Sequence, residues 1–306
     1  MLDLRAEPSR DNLSKSPAYQ SAQDAADSDA VAKLYANMEV LRALPQFTAA
    51  LDENRNPMGM LLFAPLLESL QDANWMTMGL KIQGETLTLD LVMDGASNNP
   101  DDADRFATPA TPNDGAMPAL KVPRQIAAMS LYRDLHQFYS AKDELFPERT
   151  SGIIFFENMM GIFFSGKDLT EEVFAGALPD IRVVVAEQKY DARTGTPAMQ
   201  LPGFAAIVKL RDPESFDVTI REAWQTAIGL INFTRGQNAL RPMLIESATH
   251  QGTDYTSAFF HVGDEPDQDA VDIRFNFQPA LAIEGDHLIL SSTDALARDL
   301  IEAFKK

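Results

Sequence analysis

From Trp75 to Asp94 the chain alternates: WMTMGLKIQ, a turn around Gly84-Glu85, then TLTLDLVMD, in which Thr86, Thr88 and Asp90 interleave with Leu87, Leu89 and Leu91. A period of two reads as a β-hairpin, with the threonine and aspartate side as its wet face. Elsewhere the period is helical. Residues 12–26 are alanine-rich and suit a short helix, VLRALPQFTAALDE has helical spacing, and MGMLLFAPLLESLQDA forms a further helix after Pro57. DPESFDVTIREAWQTAIGLINF reads as a long amphipathic helix, opened by a cap at Asp212 with Pro213 in its first turn.

Strand patterns return in AVAKLYANM, in QIAAMSLYRDLHQF running into a helix, and in the pair IRVVVAEQKY and FAAIVKLRD. Four more are expected in the tail, PMLIES, TDYTSAFFHV, VDIRFNF and ALAIEGDHLILSS, before a closing helix from Thr293 or Asp294. Helices grouped between strand pairs predict an α+β protein, mainly antiparallel sheet with helices packed on one face.

Residues 95–123 carry a run of prolines, asparagines and aspartates with few apolar positions, and read as a linker or loop. They separate a first α+β module, 1–94, from a second, 124–306, although the two can pack as one domain. At an offset of 95 the modules match in kind: Ala32 with Ala127, Leu34 with Met129, Asn37 with Tyr132, Glu39 with Asp134, Val40 with Leu135. This suggests a duplicated strand–helices–hairpin module.

The most apolar stretch is SGIIFFENMMGIFFSGKDLTEEV at 151–173. Its apolar run is cut by Glu157 and Asn158, well short of the ~20 residues that span a bilayer, so a membrane span is rejected. As a helix it is apolar almost all round and is expected to be the buried central helix of the fold, with Glu157 and Asn158 on the narrow remaining face. Ser165-Gly166 is its predicted stop, and Asp168 with Glu171 a capping box for the next helix. A second reading makes Phe155, Phe156, Met159 and Phe163 the lining of a cavity for an apolar ligand.

Composition narrows the chemistry. With 306 residues, 45% of them apolar, a large core is available. Twenty-six basic residues against 45 acidic ones leave a net charge of −19, which repels phosphate backbones, and no basic cluster with interleaved aromatics favours nucleic acid. With no cysteine, disulfides and thiolate chemistry are excluded.

No Gly-x-Gly-x-x-Gly, P-loop, His-Glu-x-x-His or Gly-x-Ser-x-Gly motif is present, and the four histidines, 136, 250, 261 and 287, form no i, i+3 or i, i+4 pair. No cofactor is expected. His136 reads as structural, and His261 could meet Asp254 across a short β segment. Two acidic loops, around Asp94 to Asp104 and Asp264 to Asp269, have hard oxygen ligands but break the calcium-loop pattern with Pro100 and Pro266. Asn-Phe-Thr at 232–234 and Asn-Leu-Ser at 12–14 fit the glycosylation pattern, and Trp75 and Trp224 read as core anchors.

LPGFAAIVKLRDPESFDVTIREAW and LAIEGDHLILSSTDALARDLIEAF, with LYANMEVL and FSGKDLTEEVF, resemble a bacterial family of domain-of-unknown-function proteins and are similar to large envelope proteins of planctomycete-like and other bacteria. The resemblance implies an exported protein, without an established activity and without site residues to carry over. The first sixteen residues, MLDLRAEPSRDNLSKS, lack a signal-peptide pattern. An exported location is therefore expected if the chain is a mature or truncated form, and a cytoplasmic one if its N-terminus is native. The function expected is a non-enzymatic envelope scaffold or partner-binding module, with an unknown protein partner. The alternative is a carrier of a lipid-like ligand between sheet and helices.

Overall fold

The computed structural model describes residues 12–26, 29–53, 57–84, 86–94, 106, 107, 109, 117–147, 151–190, 196–260 and 273–306. The chain forms two compact units, 1–104 and 105–306, and its class is α+β with antiparallel sheets of three and seven strands.

The first unit runs α1 (Pro17–Ala25), β1 (Ala32–Asn37), α2 (Met38–Arg42), α3 (Pro45–Glu53), α4 (Pro57–Asp72), β2 (Trp75–Gln83) and β3 (Thr86–Met93). β2 lies between β1 and β3. Gly84 takes a positive φ of 60° at the hairpin turn, where glycine carries no Cβ penalty. At the open end, Asp94 accepts hydrogen bonds from the backbone of Asn74 (2.7 Å) and Trp75 (3.0 Å). Burial alone would raise its pKa, but these hydrogen bonds outweigh it and hold the carboxyl below its ordinary value.

The hairpin alternates as expected, yet its sides are reversed. Trp75, Thr77 and Gly79 are buried, and α1 packs on that side, where the rings of Tyr19 and Tyr35 meet edge-on at 5.0 Å. Leu34, Ile82, Leu87, Leu89 and Leu91, on the opposite side, are between 41% and 66% exposed. The covering helix, not the polarity of β3, selects the buried face.

The second unit begins with β4 (Gln125–Tyr132), α5 (Leu135–Ser140), α6 (Lys142–Leu145) and α7 (Ser151–Phe163). A π-turn at Leu169–Val173 leads to β5 (Ala177–Ala186) and β6 (Gly203–Leu210), then α8 (Pro213–Gln237), β7 (Leu244–His250) and β8 (Thr253–Phe259). A 3-10 turn at Ile273–Asn276, β9 (Ala280–Glu284), β10 (His287–Ser291) and α9 (Asp294–Phe304) complete it. The strand order is β4-β5-β6-β10-β9-β8-β7.

Helices cover both faces of this sheet, a correction to the one-face expectation. Leu296, Ala297, Leu300 and Ile301 of α9 pack on Val184, Ile207, Ala282 and Ile289. Phe216 and Ile220 of α8 pack on Leu210, Leu281 and Leu288 from the other side. Neighbouring strand positions point to opposite faces, and both sets are apolar, so each face needs its own cover. Each large aliphatic side chain buried this way contributes about 1.5–3 kcal/mol.

α8 forms where its signals predict: Asp212 accepts from Ser215 N at 3.2 Å, Pro213 opens the helix, and Phe216, Thr219, Ile220 and Ala223 make the buried stripe. α9 is capped by Thr293, which accepts from Leu296 N at 3.3 Å.

α7 corrects the expectation of a helix buried on most sides. Ile153 is buried, and Phe156, Met160 and Phe164 pack against Tyr139, Leu169 and Val173. Ile154, Phe155, Asn158 and Ile162 form an exposed stripe at helical spacing. Glu157 is on the inner side, where its Oε1 accepts from the Tyr139 hydroxyl at 3.4 Å. The predicted stop holds: Ser165 and Gly166 take φ of 54° and 75°, and Gly166 N donates to Gly161 O at 2.8 Å. Asp168 caps the following turn, but the returning carboxylate belongs to Glu172, whose Oε2 accepts from Asp168 N at 2.7 Å, not to Glu171. No helix among the described residues is long and apolar enough to cross a membrane.

Candidate functional site

A cleft of about 540 Å³ opens between the second half of α8 and the face of the large sheet that α8 covers. Such volumes are typical of small-molecule sites, about 300–1,000 Å³. β6 contributes Phe204 and Ala206, β10 contributes Leu290, and α8 contributes Trp224 and Ile231. Met243, Phe260, Phe277 and Pro279 close the remaining sides. Among the described residues, Arg274 is the one charged residue of the lining.

The cleft exists because α8 covers only part of its face. Phe216 and Ile220, in the first half of the helix, press onto Leu210, Leu281 and Leu288. Further along, Ala206 beneath the helix is too small to fill the gap. By the strand register, Phe204 and Ala206 face the same way as Val185 and Val183 of β5. Phe204 nonetheless stays 52% exposed. A phenylalanine over half exposed on a concave apolar surface leaves that surface open to further contact.

Two asparagines hold the walls. Asn232 on α8 accepts from Met243 N at 2.7 Å and donates to Met243 O at 3.0 Å, which fixes Met243 against the cleft. Its side chain is therefore engaged within the fold. Asn276 is fully buried, and its Oδ1 accepts from Leu201 N at 2.8 Å and from the Tyr190 hydroxyl. Its Nδ2 donates to Met199 O and Ile273 O at 2.9 and 2.8 Å. All four hydrogen-bonding positions of the amide are thus used, which fixes the 3-10 turn carrying Arg274 and Phe275. VDIRFNF, expected as a strand, takes this turn over 273–276.

Two guanidinium groups sit over Phe260: Arg235 at 4.4 Å and Arg274 at 5.4 Å from the ring centre. Arg274 also lies 5.1 Å from Phe275. Burial, and then the charge of Arg235, lower the pKa of Arg274.

Phe155, Phe156, Met159 and Phe163 do not line this cleft. Phe155 is 64% exposed, while Phe156 stacks with Phe174 at 6.4 Å as part of a local cluster with Tyr139. Of the two tryptophans, Trp75 is buried in the first unit, and Trp224 is half-buried and reaches the cleft.

The other ionisable clusters tie elements together. Tyr255 on β8 donates to Asp294 Oδ1 at 2.8 Å, and Arg298 pairs with the other oxygen. Burial first, then Asp294, push the Tyr255 pKa up to about 12. His250 meets Glu302 at 3.0 Å. His287 stacks on Phe304 at 4.4 Å, and burial lowers its pKa against the opposing pull of Asp286. His261 and all of the two acidic loops except Asp94 lie outside the described residues, and among those described no three His, Asp or Glu side chains gather as a metal site.

No family model, curated protein or solved structure matches the chain.

Proposed function

We propose that the protein is a non-enzymatic binding protein that holds an apolar small molecule in the cleft beneath α8. The observation that supports this reading is the lining itself: some 540 Å³ of concave space bounded by Phe204, Trp224, Ile231, Met243, Phe260 and Phe277. Burying such surface against an apolar ligand contributes about 25 cal/mol per Å² of surface removed from water. The carrier reading from the sequence is thereby kept, but moved from α7 to α8. An envelope location remains part of the proposal, resting on the family resemblance. From β1 in the first unit and from β4 in the second, the chain runs strand, helices and two adjacent strands, an order that supports a duplicated module, although α1 precedes β1 in the first unit alone.

The test is titration with N-phenyl-1-naphthylamine, a neutral apolar dye that emits when shielded from water. Saturable binding with energy transfer from Trp224, lost in Trp224→Phe and kept in Trp75→Phe, is expected. Dye emission no greater than in buffer would rule the reading out.

A partner-binding role is favoured by one separate observation, the exposed face formed by Leu34, Ile82, Leu87, Leu89 and Leu91. An apolar face is complementary to itself, as a two-fold interface requires, so its occupant would be a second copy of the chain. Sedimentation should then show a dimer that Leu89→Asp dissociates, and a wild-type monomer at all concentrations would remove this role.

A further inference from the structure

We infer that the ligand of the α8 cleft is an uncharged molecule built on aromatic rings, not an alkyl chain with a charged head. This inference rests on the binding reading above and narrows its ligand class.

The polar groups around the cleft already serve the fold. The Arg274 guanidinium lies over Phe260 and Phe275 and is engaged within the chain. Arg235 donates from Nε to Arg241 O at 2.5 Å. Ser291 Oγ donates to Thr293 O at 2.8 Å and accepts from Thr293 N at 3.2 Å. Ser292 Oγ accepts from Phe204 N at 2.8 Å, and Ser292 N donates to Phe204 O at the same distance. A charged group carried into the cleft would therefore shed its water with no counter-charge set aside for it. A cation would also meet the charge of Arg274, and an anion the general repulsion of a chain with net charge −19.

The apolar part of the lining is rich in rings. Phe204, Trp224, Phe260 and Phe277 reach it from β6, α8, the residue after β8 and the stretch before β9. Phe260 meets Phe275 edge-on at 6.0 Å. Among the described residues Phe204, Trp224 and Phe277 make no ring contact with another aromatic side chain, and Phe204 is more than half exposed. Aromatic pairs add to the gain from buried area alone, so rings not spent on one another favour a ligand that brings rings of its own. Met243, held in place by Asn232, adds a thioether that also prefers an aromatic partner.

The shape of the cleft points the same way. Ala206 and Leu290 sit directly opposite each other on β6 and β10 and form a floor, with Trp224 and Ile231 of α8 above it. A rigid ring system enters such a slot without giving up the torsional freedom that an alkyl chain loses on binding.

The experiment displaces N-phenyl-1-naphthylamine from the full chain with biphenyl-4-methanol, 1-octanol and biphenyl-4-carboxylate. The two alcohols partition similarly out of water, so comparing them isolates the rings, and the carboxylate isolates the charge. Biphenyl-4-methanol should displace the dye at concentrations about tenfold below either of the others. Phe204→Leu combined with Phe277→Leu keeps the lining apolar and should bring the two alcohols within about threefold of each other. Phe204→Leu alone, at an exposed position that the core does not need, should lower the preference for the biphenyl alcohol by about twofold or more. Octanol as effective as biphenyl-4-methanol, or the carboxylate as effective as its alcohol, overturns this inference alone. A ring preference unchanged by these substitutions overturns it as well, and dye that does not bind the wild-type chain overturns the binding reading with it.

Discussion

Tyr190 donates its hydroxyl proton to Asn276 Oδ1 at 2.5 Å, across 86 positions of sequence, and Leu201 N donates to the same oxygen at 2.8 Å. One buried amide thus joins the segments after β5 and before β6 to the turn that presents Arg274. Asn276→Ala leaves Leu201 N and the Met199 and Ile273 carbonyls without their partner inside the fold. Each buried group left unsatisfied costs about 1–3 kcal/mol. Urea denaturation should show a loss of about 2–4 kcal/mol, whereas a change under 1 kcal/mol would mean that the turn is held by other contacts.

Tyr255 makes stability fall in alkali. Burial and then Asp294 disfavour the phenolate and push the Tyr255 pKa up to about 12, from an ordinary phenol value of about 10. Its contribution is fully present below about pH 10 and is lost as the pH rises towards 12. The size is about 2–3 kcal/mol, at 1.36 kcal/mol per pH unit. Tyr255→Phe should remove this part of the alkaline loss while costing about 1 kcal/mol at neutral pH, as measured by denaturation at stepped pH.

The two sides of α7 should respond differently to substitution. Phe155→Ser, on the exposed stripe, is expected to change stability by less than about 0.5 kcal/mol. Phe156→Ala, which leaves a gap beside Tyr139 and Phe174, should cost about 2–3 kcal/mol. Equal effects in thermal melts would contradict the orientation of the helix.

Gly176 sits where the chain enters β5, against Phe216 of α8. A Cβ there would stand 2.7 Å from Phe216 Cδ2. Gly176→Ala should therefore push Phe216 off Leu210 and lower stability by about 1–3 kcal/mol, and the double change with Phe216→Leu should recover part of it.

These residues also show what the sequence can and cannot carry. α8 and α9 were legible because their caps, Asp212-Pro213 and Thr293, and their apolar stripes are local. The stop at Ser165-Gly166 was legible for the same reason. The facing of α7 was not, because a helix apolar on every side has no preferred face until its neighbours are known. The β3 leucines had a clear side, but α1 settled which side is buried. VDIRFNF alternates like a strand, and only the long-range bonds of Asn276 reveal the turn. The cleft draws on residues from 204 to 292 and leaves no local motif, and the apolar surroundings of Trp224 in sequence read as those of a core anchor.

Filling the cleft tests the account most directly. Ala206 is half-buried and opens into it, so Ala206→Phe places a ring where the ligand would lie without removing any hydrogen bond of β6. In a titration with N-phenyl-1-naphthylamine, wild type should bind saturably and Ala206→Phe should bind at least tenfold more weakly, with a melting temperature no lower than wild type by more than a few degrees. Undiminished dye binding by a folded Ala206→Phe would place the ligand elsewhere and contradict the account.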